Sequence, residues 1–238
     1  MKGWVTIEGA VMLDNRDSDK RPSGEHLGYE TSRIHRFNDY PRFNDGRTYD
    51  EACREYRWNA PDVMYQNLIP FLDGHERIID IGCGSGLSGM PFIDAGFTVD
   101  GIDFSRKQLE LARARGYRKT TCASAQLPLA DLVRERYDAL ISVGLYGDYV
   151  SVSWLTYALS LLKTQAFAGI AGRADELTRV ERDEGCYNTQ DELKSQGFSI
   201  LLEEFGEAHK FYIVGNGRHP KDAPLHARMY LYTVAARS

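Results

Sequence analysis

Asp80, Gly82, Gly84 and Gly86, in the run "RIIDIGCGSGLSG" from Arg77 to Gly89, are the residues of this chain best suited by type and spacing to hold a ligand. Glycines at alternate positions let the backbone turn through positive φ and let a ligand approach closely, while the free N–H groups of a following helix attract electron-rich groups. A carboxylate two residues before the first glycine can order the turn and attract a ligand ammonium. About twenty residues on, Asp103 ends a second apolar run, "FTVDGID", where a carboxylate can accept two hydrogen bonds from the ribose hydroxyls of an adenosine. The dinucleotide fingerprint G-x-G-x-x-G is not met, because counting from Gly82 puts Leu87 at its third glycine position. The pattern is D-x-G-x-G-x-G, which weakens a nicotinamide reading. Plainer explanations stand beside this one: the turn could serve tight strand-to-helix packing alone, and Asp103 could be a helix N-terminal carboxylate near Ser105.

A second set of residues could do proton chemistry. The stretch "GLYGDYV" presents Tyr146, Asp148 and Tyr149, with Asp148 the first choice for a general base and, equally, a cap or turn residue ahead of a helix. Arg173 could grip a carboxylate through its planar fork or be a solvated charge. His209, His219 and His226 surround an insertion-like segment, but their spacing matches no zinc pattern, so no metal is expected. Cys53, Cys83, Cys122 and Cys186 lack any Cys-x-x-Cys pairing and read as reduced thiols. Tyr40, Tyr49, Tyr56 and Trp58 form either an aromatic lid over a cation or ordinary core.

These candidates need elements to position them. The run "TYDEACREYRWNAPDVMYQNLIPFL" has helical periodicity, with Thr48 and Glu51 as a capping box and Pro61 splitting it in two. "RIIDIG" is a first strand, followed by the glycine turn and a helix from about Leu87 to Ala95 that Gly96 ends. "FTVDGID" is a second strand. "SRKQLELARARG" is a helix capped by Ser105, stopped by Gly116, with Leu109 and Ala112 on one face. Strands near 119–123 and in "YDALISVG" come next, then a helix in "VSWLTYALSLLK". Later come a strand in "AFAGIAG", a helix in "TQDELKSQG", and strands in "FSILLEEF" and "ARMYLYTVAA". Alternation of this kind specifies an α/β, doubly wound, mostly parallel sheet of seven strands, whose last strand pairs antiparallel. Ahead of it all, "WVTIEGAVML" could form a short hairpin or an arm on a neighbouring subunit.

A chain of 238 residues with 42% apolar content can bury one sizeable core. Its net charge of -5, with dispersed Lys and Arg, gives no footprint for a phosphate backbone, so nucleic acid is disfavoured as a partner. No signal-like apolar region opens the sequence, and the charge-poor span 139–162 changes periodicity midway, which leads us to expect a cytoplasmic chain with no membrane partner.

"IIDIGCGSG" followed by "VDGIDFS" resembles motifs I and II of the class I S-adenosylmethionine-dependent methyltransferases. Within that superfamily, Tyr49-Asp50, Tyr56 with Ala60-Pro61, the glycine turn and Val143-Gly144 echo the small-molecule, methyltransferase-like proteins of the Williams–Beuren region group. The resemblance covers roughly residues 48–172. It implies a Rossmann-like domain over residues 48–238, with residues 1–47 as an N-terminal extension that serves as a lid or a homodimer arm. It also implies that Gly82, Cys83, Gly84 and Gly86 lie against the methionine part of S-adenosylmethionine, with Asp80 supporting the ammonium end. Asp103 with Phe104 would hold the ribose side, and Ser124, Ala125 and Val143 would line the rest. Two departures stand out. The family often has an Asp before "L-P", where "CASAQLP" offers Ser124 and Gln126, and its "L-K-P-G-G" turn reads "LLKTQAF" here.

The function expected is methyl transfer to an oxygen or nitrogen of a small molecule. A methyl sulfonium is already activated, so alignment of the acceptor supplies on the order of 7–11 kcal/mol and a dedicated base is optional. Where a proton must leave, Asp148 or Tyr146 would receive it. The place after the fourth strand reads "VGLYGD" and lacks the Asp-Pro-Pro-aromatic sequence of base-methylating enzymes. A non-methylating step that uses the sulfonium as a fixed charge, and a regulatory binding module, remain as alternatives.

Overall fold

The computed structural model describes residues 5–7, 10–12, 48–55, 58–146, 154–173, 199–211 and 225–235. Val5–Ile7 (β1) and Ala10–Met12 (β2) pair as a small antiparallel hairpin, the first of the two forms open to "WVTIEGAVML". Tyr49–Glu55 (α1) and Ala60–Leu68 (α2) follow, and a 3-10 turn, Ile69–Phe71, leads into Arg77–Ile81 (β3). Then come Met90–Asp94 (α3), Thr98–Asp103 (β4), Arg106–Ala114 (α4), Lys119–Cys122 (β5), Leu129–Leu132 (α5), Tyr137–Tyr146 (β6), Trp154–Leu159 (α6) and Leu162–Arg173 (β7). Ser199–Phe211 (β8) and Leu225–Ala235 (β9) complete the described elements.

The main sheet has the order β5-β4-β3-β6-β7-β9-β8. Parallel pairs join β5 to β4, β4 to β3, β3 to β6 and β6 to β7, so the mostly parallel, Rossmann-like arrangement is present; β9 runs antiparallel to β7 and β8. From β3 the chain first winds outward through β4 and β5, then returns to wind the other way through β6 and β7. The direction therefore reverses between β3 and β6, where the carboxyl ends of parallel strands open a crevice for ligands.

Because both faces of this sheet are covered, β3 is apolar on both sides and its side chains alternate between two cores. Ile79 and Ile81 join Ile102, Leu140 and the α6 residues Trp154 and Leu155. Ile78 joins Met64 and Leu68 of α2, Phe92 of α3, and Leu109 and Ala112 of α4. Each Ile, Leu or Phe so removed from water contributes about 1.5–3 kcal/mol. The same alternation puts Asp80 on the face of Ile78, fully buried, and Asp103 on the face of Val99. Two carboxylates are thus delivered by register to one side of the sheet.

Local signals account for most boundaries. Thr48 and Glu51 form the expected capping box: the Glu51 N–H donates to Thr48 Oγ1 (3.2 Å), and the Thr48 N–H returns a bond to Glu51 Oε2 (2.7 Å). Ser105 caps α4, accepting from the Gln108 N–H at 3.4 Å, and Gly116 follows at φ 100°. Three expectations need correction. The helix after the glycine turn begins at Met90 rather than Leu87, because residues 87–89 continue as turns and Pro91, with no N–H to donate, suits only a first turn. The helix in "VSWLTYALSLLK" stops at Leu159, and "LLKTQAF" holds no extended turn. Without the Pro-Gly breakers β7 starts at Leu162, opposite Tyr137, and absorbs the additional residues in a bulge before Phe167 meets Ala139. β6 likewise runs on to Tyr146, beyond the expected end at Gly144. The helix expected in "TQDELKSQG" lies outside the described residues.

Candidate active site

The glycine turn leaves β3 at its carboxyl end and is held from three directions. From the neighbouring strand, the Ile102 carbonyl accepts from the N–H groups of Gly82 (2.8 Å) and Cys83 (3.1 Å). From the tip of β4, Asp103 Oδ2 accepts from the Gly84 N–H at 2.9 Å, while its Oδ1 accepts from the Ser105 N–H at 2.8 Å. Both expected acidic positions therefore meet at one turn. Asp103 is 9% exposed, at the rim of the crevice. Burial raises its carboxyl to about 6, against the opposing pull of those two N–H bonds.

From beneath, Asp80 reaches the turn through side chains that sequence reading did not find. Ser88 Oγ and Tyr117 OH both donate to Asp80 Oδ2, at 2.5 and 2.6 Å, and Tyr117 OH accepts from the Gly89 N–H at 2.9 Å. Burial dominates the ionisation of Asp80, raising it to about 7, with the Ser88 and Tyr117 bonds opposing and the nearby Asp103 charge reinforcing. Its other oxygen, Oδ1, is buried without a hydrogen-bond partner. A partly charged, half-satisfied carboxylate below a ligand turn is costly in the empty state and favours a cationic or donor group above it.

The glycines divide into two kinds. At Gly84, with φ 52°, a Cβ would meet nothing within 4 Å, so this residue borders open space. At Gly86 a Cβ would come within 2.8 Å of the Tyr117 ring, at Gly101 within 2.9 Å, and at Gly89 within 2.2 Å of the Tyr117 hydroxyl. Gly86 and Gly89 are glycine because a tyrosine fills the room under the turn, and Gly101 because Cys83 Sγ, at 2.7 Å, closes the space together with that ring. Gly82 faces the Leu145 side chain in the same way. The Cys83 side chain also packs inward, 4% exposed and beside Gly101, and burial first, then the Asp80 and Asp103 charges, keep its thiol protonated.

At the end of β5, the Asp103 carbonyl accepts from the Ala123 N–H, and Ser124 Oγ accepts from the Gln126 N–H at 3.2 Å, shaping the turn in "CASAQLP". Ala125 and Val143 are buried, and the Phe104 carbonyl takes a bond from Cys122 Sγ. Asp148, Tyr149, Tyr40, Tyr56, His219 and Cys186 lie outside the described residues, and Tyr146, Arg173, His209 and His226 are described as backbone only. Among the described residues no group of three or more His, Cys, Asp or Glu could hold a metal ion, and no helix is long and apolar enough to cross a membrane.

Three observations on this chain's own atoms fit a ligand with an ammonium end and a ribose: the unpaired Asp80 Oδ1, the open space at Gly84 and the rim position of Asp103. Comparison with known families agrees: residues 78–164 match the family described as methyltransferase domain. Among curated proteins, the chain is similar to a ubiquinone biosynthesis O-methyltransferase of Rhodopseudomonas palustris, 27% identical over 125 residues, 51% of this chain and 47% of that protein. One from Azoarcus is 31% identical over 88 residues, 32% and 38% of the two chains. The chain thus spans about half the length, or less, of the curated relatives it matches. Among solved structures, magnesium protoporphyrin IX methyltransferase of Synechocystis, determined with S-adenosylmethionine bound, superposes with a TM-score of 0.54 at 15% identity, covering 85% of this chain and 97% of that one. The described sheet accordingly shares the Rossmann-like fold of that structure.

Proposed function

We propose that this chain is an S-adenosylmethionine-dependent methyltransferase that transfers a methyl group to an oxygen or nitrogen of a small molecule. The hydrogen bond from the Gly84 N–H to Asp103 carries the reading, because it joins the glycine turn to the strand-end carboxylate at the point where the sheet reverses. When bound, the cofactor supplies a methyl group on a positively charged sulfur. The chain's own residues then have separate tasks. Asp103 offers its remaining lone pairs to the ribose hydroxyls, the open backbone at Gly84 admits the methionine part, and Asp80 balances the ammonium from below. Phe104, Ser124, Ala125 and Val143 line the adenosine side. Asp148 or Tyr146 would take the proton of a hydroxyl acceptor during the transfer, and that of an ammonium acceptor before it, since the nitrogen lone pair is free only once the proton has left.

An oxygen acceptor is favoured by the names of the curated relatives, and a small molecule over nucleic acid by the net charge of -5. The same reading includes a seven-stranded class I sheet with a reversed last strand, a cytoplasmic location, membership of the Williams–Beuren-like group, and residues 1–47 as a lid or homodimer arm. Calorimetric titration with S-adenosylmethionine, S-adenosylhomocysteine and NAD tests it. Binding of both adenosyl ligands and not NAD is expected; binding of NAD alone, or of none, refutes the reading.

A further inference from the structure

Asp50, in the first turn of α1, sits 35 residues before the glycine turn in sequence, yet grips it. Its Oδ1 accepts from Ser85 Oγ at 2.6 Å, and its Oδ2 pairs with Arg115 Nη2 at the end of α4. Arg115 Nη1 donates in turn to the Ser85 carbonyl, which closes a three-residue ring. Ser85 is 2% exposed and lies between Gly84, pinned by Asp103, and Gly86, seated on Tyr117. The capping box at Thr48 and Glu51 fixes the helix turn that carries Asp50, and an edge-on contact of Tyr49 with Trp58 ties α1 to the start of α2.

We propose that Asp50, with Ser85 and Arg115, is a clasp that couples helix α1 to the cofactor turn, so that binding of the adenosyl ligand and ordering of residues 48–55 reinforce each other. This rests on the cofactor reading above. Glycines on both sides of Ser85 leave the turn little stiffness of its own. The clasp fixes Ser85 from the outer side while Asp103 fixes Gly84 from the inner side, so docking of α1 adds a further restraint at the middle of the turn. Arg115 suits the task because its planar fork serves a carboxylate and a carbonyl together, which an ammonium cannot reproduce. Asp50 is a positioning residue here, acting on the ligand through Ser85.

Coupling of this kind is reciprocal. Asp50→Ala and Arg115→Ala are each expected to weaken S-adenosylhomocysteine binding by roughly 5- to 50-fold, with the double variant no weaker than the worse single one and Asp50→Glu recovering part of the loss. In the unaltered protein, S-adenosylhomocysteine should slow amide hydrogen exchange in residues 48–55, a readout that needs no variant to fold. If the unaltered protein fails to bind S-adenosylhomocysteine, the cofactor reading falls and the clasp with it. If it binds while Asp50→Ala binds equally well, or while exchange in residues 48–55 is unchanged by the ligand, the clasp alone is overturned.

Discussion

Replacing Asp80 with asparagine should make the ligand-free protein more stable in mild alkali while making it a poorer binder. The carboxyl has an ordinary value of 3.8 and is raised by burial to about 7 in the folded protein. Stability that depends on its proton is fully present below about pH 3.8 and is lost as pH rises through about 7, because the unfolded chain ionises first. The interval from 3.8 to about 7 corresponds to a loss of up to about 4 kcal/mol. Asparagine removes that loss: its carbonyl can accept the Ser88 and Tyr117 hydroxyls in place of Oδ2, and its amide leaves unpaired donors on the Oδ1 side, as the hydroxyl of the protonated acid would. At about 2–4 °C per kcal/mol for a chain of this size, Asp80→Asn should melt up to about 8–16 °C higher than the unaltered protein near pH 8, with the difference vanishing near pH 4. Thermal melts across that range, paired with S-adenosylhomocysteine titrations, check it. Affinity of the unaltered protein should climb as Asp80 ionises, and that of Asp80→Asn should be lower and flat. A melting difference independent of pH, or a less stable variant near pH 8, would refute the account of Asp80.

Asp103→Ala should weaken S-adenosylhomocysteine binding by about 1.5–3 kcal/mol for each lost charged hydrogen bond, measured by calorimetry. Gly84→Ala, whose methyl points into open space, should cost about 1–2 kcal/mol of stability for its positive φ but abolish binding; denaturant melts and titration separate the two effects. Gly86→Ala should lose about 3 kcal/mol or more, since it adds overlap with the Tyr117 ring to the same strain, and its melt should fall well below that of Gly84→Ala. Tyr117→Phe should cost about 1–3 kcal/mol by leaving the Gly89 N–H unpaired, and should move the upper end of the pH–stability curve higher, because the Tyr117 bond holds the Asp80 carboxyl down.

Elements governed by local chemistry were legible in the sequence: the capping box at Thr48, the Ser105 cap, the Gly116 stop and the apolar run of β3 all carry their signal within a few residues. The meeting of Asp80 and Asp103 beside the turn was legible too, because both sit at fixed offsets from its glycines. What holds the turn was not. Tyr117 follows a helix stop and looks like any aromatic on the way to a strand; only the packing of β4 beside β3 brings it under Gly86 and Gly89. Asp50 reads as a helix N-terminal acid, and its partners lie 35 and 65 residues away. Pro91 was in plain view and would have placed the start of α3 correctly. The early start of β7 depends on a bulge opposite Tyr137, a property of the strand pair rather than of either strand alone.

The fit around Tyr117 also limits how this chain can change. Positions 86, 89 and 101 all border one ring, so a methyl group at any of them requires position 117 to shrink, and at 101 the Cys83 side chain must move as well. Shrinking it first leaves a hole beneath the turn and strips a donor from Asp80. Single substitutions in either order pass through a damaged protein, so these four positions can be redesigned only as a set, whereas at Gly84 no neighbouring side chain stands in the way and the constraints are its positive φ and the ligand.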